Sequence, residues 1–445
     1  MRRMYLMSFL LLIPIYIYAQ MTLEDCQQAA AENHPLIKRY DLLRRMVDHE
    51  TADIRKGWLP QLAAVAQATV QNRATSLPSD LAERVKTMGW EVSGLKKEQY
   101  RVGVDVNQTI YDGGVMRERQ RAARLDSRVK EVKTDAELYA IRRKVNELFF
   151  GILLIEEQLR LNGERQAMLS SHLKRLEDMQ HNGVATPSDV DRMRIECLLA
   201  TQQAAELNTE GRSLRHMLAL FCGRDSIGRL VKPPLPSADD HTSATASVSA
   251  TFFSTYIHPR LHPEMQIFEA RLALADARER LLKSLIRPRL SAIGQAFYGY
   301  PGFDMLRDIR RGEGSFNALV GLQLSWSIGN LYRYRNNRAQ IATDRLAIAN
   351  ERDLFLFNNR LEQVKDRTQI EKYYRLMDDD EQVIRLRASV RKAAEAKLQH
   401  GVIDVSTLVT EINHEHAALI TKAIHETELL RYIYDFIHTT HSSIP

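Results

Sequence analysis

The sequence predicts a mainly α chain with transmembrane β. It reads as an internal duplication whose long antiparallel helical hairpins form an α-barrel, with four strands per protomer contributing to a β-barrel shared between copies. Three observations carry this expectation: two proline-free stretches of helical periodicity run far longer than a compact domain needs, each follows a pair of period-two segments, and each stops at the same kind of turn.

The first of these stretches spans 115–181. At about 1.5 Å per residue it makes a rod on the order of 100 Å long. The second spans 331–399. The turns that end them are His181-Asn182-Gly183-Val184 and Gln399-His400-Gly401-Val402. Ile110 and Gly183 lie 73 residues apart, as do Ile328 and Gly401, while His34-Pro35, Pro60 and Leu62 recur at an offset of 228 as His262-Pro263, Pro288 and Leu290. The chain is therefore a tandem repeat built around the rod.

Arg2 and Arg3 followed by the apolar run Met4 to Tyr18, with small Ala19 before Gln20, mark residues 1–19 as a signal peptide, so the mature chain is exported. No later segment approaches a 20-residue apolar span, which excludes a helical membrane protein after the signal. The formal charge of +6 falls to +4 without Arg2 and Arg3, and acids and bases are interspersed, which argues against nucleic acid as a partner. Cys26, Cys197 and Cys222 match no metal spacing and read as helix or core cysteines. His414 and His416 are two apart and so point to different helix faces. With no phosphate loop, nucleophile elbow or catalytic carboxylate pair, the expectation is a chain with no enzymatic activity, no cofactor and no metal.

In chain order, the first repeat occupies 20–221. Thr22 caps an opening helix with Asp25 in the capping-box position, and a second helix runs from Leu36 to about Lys56, where Gly57-Trp58-Leu59-Pro60 ends it. Strands are expected at 62–72 and 100–111, separated by a polar loop; in the second, Tyr100, Val102, Val104, Val106 and Ile110 share one face. The long helix 115–181 carries two apolar seams, Ala122-Leu125-Val129-Val132-Ala136-Tyr139 and Leu138-Ile141-Val145-Leu148-Ile152-Ile155-Leu159, which means a neighbour on each side. A return helix covers 187–220, and a proline- and serine-rich linker covers 222–260. The second repeat, 261–437, has a helix, strands at 290–300 and 316–328, a long helix 331–399 and a return helix 405–437, followed by a tail, 438–445.

A strand of about ten residues tilted by roughly 40° covers an apolar band of about 25 Å, the height of an outer-membrane barrel. Four strands cannot close, and an open edge in lipid leaves amides without partners, so 8, 12 or 16 strands from two, three or four copies are the closed solutions. The competing architecture is a soluble periplasmic coiled-coil scaffold or adaptor, with the alternating runs packed in a small β-sandwich.

These segments together resemble the TolC-like outer-membrane efflux protein family. The resemblance covers about 21–437 and rests on Thr22-Leu23-Glu24 with Asn33-His34-Pro35, on Trp58-Leu59-Pro60-Gln61-Leu62, on Ile110-Tyr111-Asp112-Gly113-Gly114, and on Gly183-Val184-Ala185-Thr186-Pro187-Ser188-Asp189-Val190. It implies a homotrimer with a 12-stranded barrel in the lipid of the outer membrane, continued by a helical tube in the periplasm. Its role would be the passive exit duct of a tripartite efflux or type I secretion system, working with a periplasmic adaptor and an inner-membrane transporter. The linker would belong to the equatorial segment. Gly183, Val184, Ala185, Gly401, Val402 and Ile403 would form the periplasmic tip that meets the adaptor. Asp189 and Asp404 are the acids that three copies would bring to a constriction, although the second turn departs from the family pattern in having Thr407, not an acid, six residues after Gly401.

Overall fold

A computed structural model describes residues 20–76, 78–89, 94–235 and 262–440. The signal segment 1–19, the linker from 236 to 260 and the last five residues of the tail lie outside the described residues. The chain divides into two compact units, one of Met1–Arg39, Lys133–Gln266 and Asp353–Pro445, the other of Tyr40–Val132 and Ile267–Arg352.

In chain order the elements are α1 Leu23–Asn33, α2 Lys38–Lys56, β1 Gln61–Val70, α3 Ser79–Thr87, β2 Glu98–Tyr111, α4 Val115–His181, α5 Pro187–Cys222, α6 Pro263–Leu285, β3 Arg289–Tyr300, α7 Met305–Arg311, β4 Ser315–Ser325, α8 Gly329–Gln399 and α9 Val405–Thr440. Several bounds differ from those read in the sequence. The second helix starts at Lys38 because Pro35–Ile37 forms a separate 3-10 turn, capped by His34 Nδ1. The polar loop between β1 and β2 contains α3, and β4 stops at Ser325, three residues short of Ile328. There the Trp326 indole N–H turns to the Ile286 carbonyl at 2.9 Å. The return helices reach Cys222 and Thr440, not 220 and 437.

The second unit holds one antiparallel sheet in the order β1-β2-β3-β4, so β2 and β3 join the two repeats. Period-two alternation gives the sheet two chemically distinct faces. The register runs Val102–Tyr298–Phe316, Val104–Ala296–Ala318 and Val106–Gly294–Val320, which lines the apolar residues up on one side. That side is open: Val320 is 87% exposed, and Leu62, Val70, Leu322 and Leu324 are similarly bare. A bulge between Thr109 and Tyr111 makes Tyr111, not Ile110, the partner of Leu290. Ile110 thus leaves the strict alternation expected of it.

The opposite side carries Arg101, Asp105, Gln295 and Asn317, with a Gln295 amide hydrogen bond to Asp105 at 2.9 Å. Onto this polar side folds the β3–β4 connection. Phe303 stacks edge-on against Phe297 at 5.3 Å, and its N–H donates to Asn317 Oδ1 at 2.7 Å. Buried Asp308 accepts from the Gly302 N–H and the Ser315 hydroxyl, and Gly302 fits so closely against Ser315 and Asn317 that no Cβ has room. At the other end of the sheet Asp112 caps α4, accepting from Gly114 and Met116 N–H at 2.8 and 2.6 Å. Gly113 and Gly114 take positive φ to make that corner.

The first unit is helical. One core gathers Leu23, Cys26, Val145, Phe149, Phe150, Ile152, Leu218 and Leu430 from α1, α4, α5 and α9. Residues of both expected seams of α4 are covered within the chain: Val129, Val132, Ala136 and Tyr139 from one, Val145, Ile152 and Ile155 from the other. The equivalent seam of α8 is not. Leu354, Phe357, Leu361 and Val364, then Val383, Leu386 and Val390, remain exposed at steps of three and four; Phe357 is 60% accessible. On α5, Ile195, Leu198, Leu199 and Leu220 are exposed as well.

Asp366 of α8 is 4% exposed and, through burial first and the nearby Asp435 carboxylate second, is pushed up to about 6 from 3.8. A carboxyl raised on folding costs nothing below its unfolded value and costs most above its folded one. Asp366→Asn therefore raises the melting temperature at pH 7.5, where the cost relieved is at most about 3 kcal/mol, and leaves it nearly unchanged below pH 4. Thermal unfolding followed by circular dichroism at the two pH values checks this, and equal shifts at both would refute it.

Candidate functional site

The candidate site is the pair of helix turns at the ends of α4 and α8. Both turns reverse the chain by the same device. Gly183 and Gly401 adopt φ of 75° and 69°, a left-handed geometry open to glycine. Val184 N–H donates to Met179 O and Gly183 N–H to Gln180 O, at 2.9 and 3.0 Å. Val402 to Lys397 O and Gly401 to Leu398 O repeat those distances, so each rod ends in a Schellman cap.

The six residues expected at the tip fall into three kinds. Gly183 and Gly401 make the reversal. Val184 and Val402 face outward, 71% and 68% exposed. Ala185 and Ile403 turn back and pack against one core of Leu169, Leu176, Val190, Met193, Ala394, Val405, Leu408 and Ile412. That core draws on α4, α5, α8 and α9 and so brings the two turns together.

The return helices begin with reciprocal caps. At the first turn Thr186 Oγ1 accepts from Asp189 N–H at 3.3 Å, and Asp189 Oδ2 accepts from Thr186 N–H at 3.2 Å and from its hydroxyl at 2.6 Å, a complete capping box. At the second, Asp404 Oδ1 accepts from Thr407 N–H at 2.9 Å and from its hydroxyl at 2.6 Å. Those bonds from Thr407 hold the Asp404 carboxyl below the usual range. Thr-x-x-Asp at one turn is thus Asp-x-x-Thr at the other. The missing acid at 407 is an exchange of the same two side chains.

Sequence reading missed a polar network beside the tip core. Arg165 reaches Glu196 at 3.0 Å and Asn413 at 2.8 Å. Arg391 bridges Glu395 and Glu415, and His172 Nε2 lies 3.2 Å from Glu395. These groups interrupt the apolar seams of four helices, and the only signal was a charge at a seam position. Charged pairs so placed fix which helix meets which, and at what register. His416 is buried beside them, its Nε2 without a hydrogen-bond partner, and burial lowers it to about 4, while His414 is exposed against Arg387 and Glu411. Among the described residues no group of three or more His, Cys, Asp or Glu could hold a metal ion. None of the described helices is long and apolar enough to cross a membrane.

Residues 27–221 match the family model described as outer membrane efflux protein. The match covers the first repeat, which is thus similar to outer membrane efflux proteins. No curated protein matches the sequence. Solved structures extend the likeness to the second repeat. The outer membrane protein VceC of Vibrio cholerae superposes with a TM-score of 0.63 at 11% identity, covering 95% of this chain and 97% of that one. The Campylobacter jejuni CmeC outer membrane channel gives 0.62 at 12% identity over 94% and 85%. The open state of the Neisseria gonorrhoeae MtrE outer membrane channel gives 0.58 at 13% over 94% and 88%. The chain thus has the fold of these outer-membrane channels.

Because asparagine caps a helix about as well as aspartate, Asp404→Asn at the N-cap of α9 leaves the melting temperature nearly unchanged, whereas Asp404→Ala lowers it. Thermal denaturation of the two variants checks this. An equal loss in the Asn and Ala forms would show that charge, not capping, is the stabilising contribution.

Proposed function

We propose that this chain is one protomer of a homotrimeric exit duct with a 12-stranded barrel, serving a tripartite efflux or type I secretion system. One observation carries the reading. The sheet has unpaired outer strands, β1 and β4, and an apolar face left bare by its own chain. In hydrocarbon the apolar face is satisfied by lipid, but the edge amides are satisfied only by another strand. Pairing β4 of one copy with β1 of the next, head to tail, removes every edge once the ring closes. The family resemblance selects three copies among the closed solutions. A soluble scaffold with its strands in a sandwich would hide the face that is open here.

The helices support the same closure. The bare α8 seam and the bare α5 residues, Ile195, Leu198 and Leu199, are two different surfaces of one chain, as a head-to-tail contact needs. Phe357→Asp combined with Leu361→Asp places two charges in that seam, each removing an apolar contact of about 2 kcal/mol per interface. The expected result is a shift from trimer to monomer in native mass spectrometry of the detergent-extracted protein, with helix content by circular dichroism retained. A trimer undiminished by the double substitution would count against the reading.

At the periplasmic end, outward-facing Val184 and Val402 are the contact surface for the adaptor, while Ala185 and Ile403 support it from the core and Gly183 and Gly401 set its curvature. Three copies of Asp189 and Asp404 supply the acidic groups of the closed end. Val184→Asp with Val402→Asp is expected to abolish adaptor cross-linking without loss of the trimer. Asp189→Asn with Asp404→Asn is expected to lower the cation preference of single-channel currents; an unchanged preference removes these acids from the conducting path. Energy and choice of cargo then lie with the inner-membrane transporter, because this chain offers neither a nucleotide loop nor a catalytic constellation.

A further inference from the structure

Two of the three cysteines, 196 residues apart in sequence, meet in the fold. Cys26 lies on α1 and Cys222 is the last residue of α5; they are 0% and 1% exposed and belong to one core. The Cys222 thiol donates to the Cys26 carbonyl at 3.7 Å. The backbone on both sides is pinned. Met21 N–H donates to Arg229 O at 3.1 Å and Val231 N–H to Met21 O at 3.0 Å, forming a parallel bridge between Met21 and Leu230. The Asn33 amide donates to Cys222 O at 3.1 Å, and Gly223, at φ 63°, packs directly against the Asn33 side chain. Cys197 is excluded from the meeting: it lies 25 residues earlier on α5, on the order of 40 Å along the helix, far beyond disulfide reach.

We propose that Cys26 and Cys222 form an intrachain disulfide in the exported protein, stapling α1 to the end of the first repeat and leaving Cys197 as the free thiol. The two thiols are free in this structure. Forming the S–S bond removes two electrons and two protons from them. The electron acceptor is the disulfide of an exported dithiol oxidoreductase. One thiolate of the pair attacks that disulfide and releases the first thiolate of the acceptor; the second thiolate of the pair then attacks the mixed disulfide and releases the acceptor as its dithiol. Full burial in the folded chain means that exchange occurs before α1 docks. The inference depends on export of the chain and not on its closing into a duct.

The test is a thiol count on the full-length protein. Cells are quenched with acid, the outer membrane is solubilised in denaturant without reductant, free thiols are blocked with a maleimide, and the intact mass is read. One label per chain is expected, at Cys197, with a protease-derived peptide pair joining Cys26 to Cys222 that separates on reduction. Three labels, or a link that includes Cys197 or joins two chains, would overturn the proposal. Cys26→Ala supplies the control without requiring unchanged stability: its label count is expected to rise to two, at Cys197 and Cys222. In the wild type, reductant added before heating is expected to lower the melting temperature, whereas in Cys26→Ala it leaves it unmoved.

Discussion

Backbone amides in hydrocarbon must be paired, and in the proposed duct that requirement governs this chain more than any side chain does. Each protomer contributes a sheet with its inner strands satisfied and its two outer strands open. Among the described residues none pairs with the outer edge of β1 or β4, and the apolar face beside them is bare. In the proposed duct, lipid answers the face and another copy answers the edges, so that cyclic closure follows from hydrogen-bond chemistry.

The helical repeats obey a related logic with a different outcome in each copy. Both rods carry apolar residues at steps of three and four, so each looks equally ready for neighbours. Within one chain, however, α4 is covered by α1, α5 and α9, while the α8 seam from Leu354 to Val390 is left open. The duplication is therefore symmetric in pattern and asymmetric in burial, which gives a protomer two unlike sides. Unlike sides are what a head-to-tail ring needs, since an isologous contact would stop at two copies.

At the turns, economy of chemistry is visible at atomic scale. Glycine supplies the left-handed corner, and a threonine and an aspartate cap the helix that follows, in opposite order at the two ends. The shared core behind Ala185 and Ile403 holds both corners together, and the ion pairs of Arg165 and Arg391 set the lateral register of the helices behind it. Val184 and Val402 alone of the six turn residues point outward.

Much of this was legible in the residues themselves. Periods of two and near 3.6 are local properties, so strands, rods and their repeat spacing could be read directly, as could Gly183 and Gly401, because a rod that must reverse needs a residue free to take positive φ. Strand ends and the corner at Ile110 were not legible, since a bulge and the Trp326 anchor depend on what the neighbouring element presents. Only the tertiary structure decided which rod is covered, that the β3–β4 connection folds onto the polar face of the sheet, that Arg165 finds Glu196 and Asn413, and that Cys26 meets Cys222. The reason is the same in each case: sequence periodicity states that a surface must be covered, but the identity of what covers it is a contact between residues far apart in the chain.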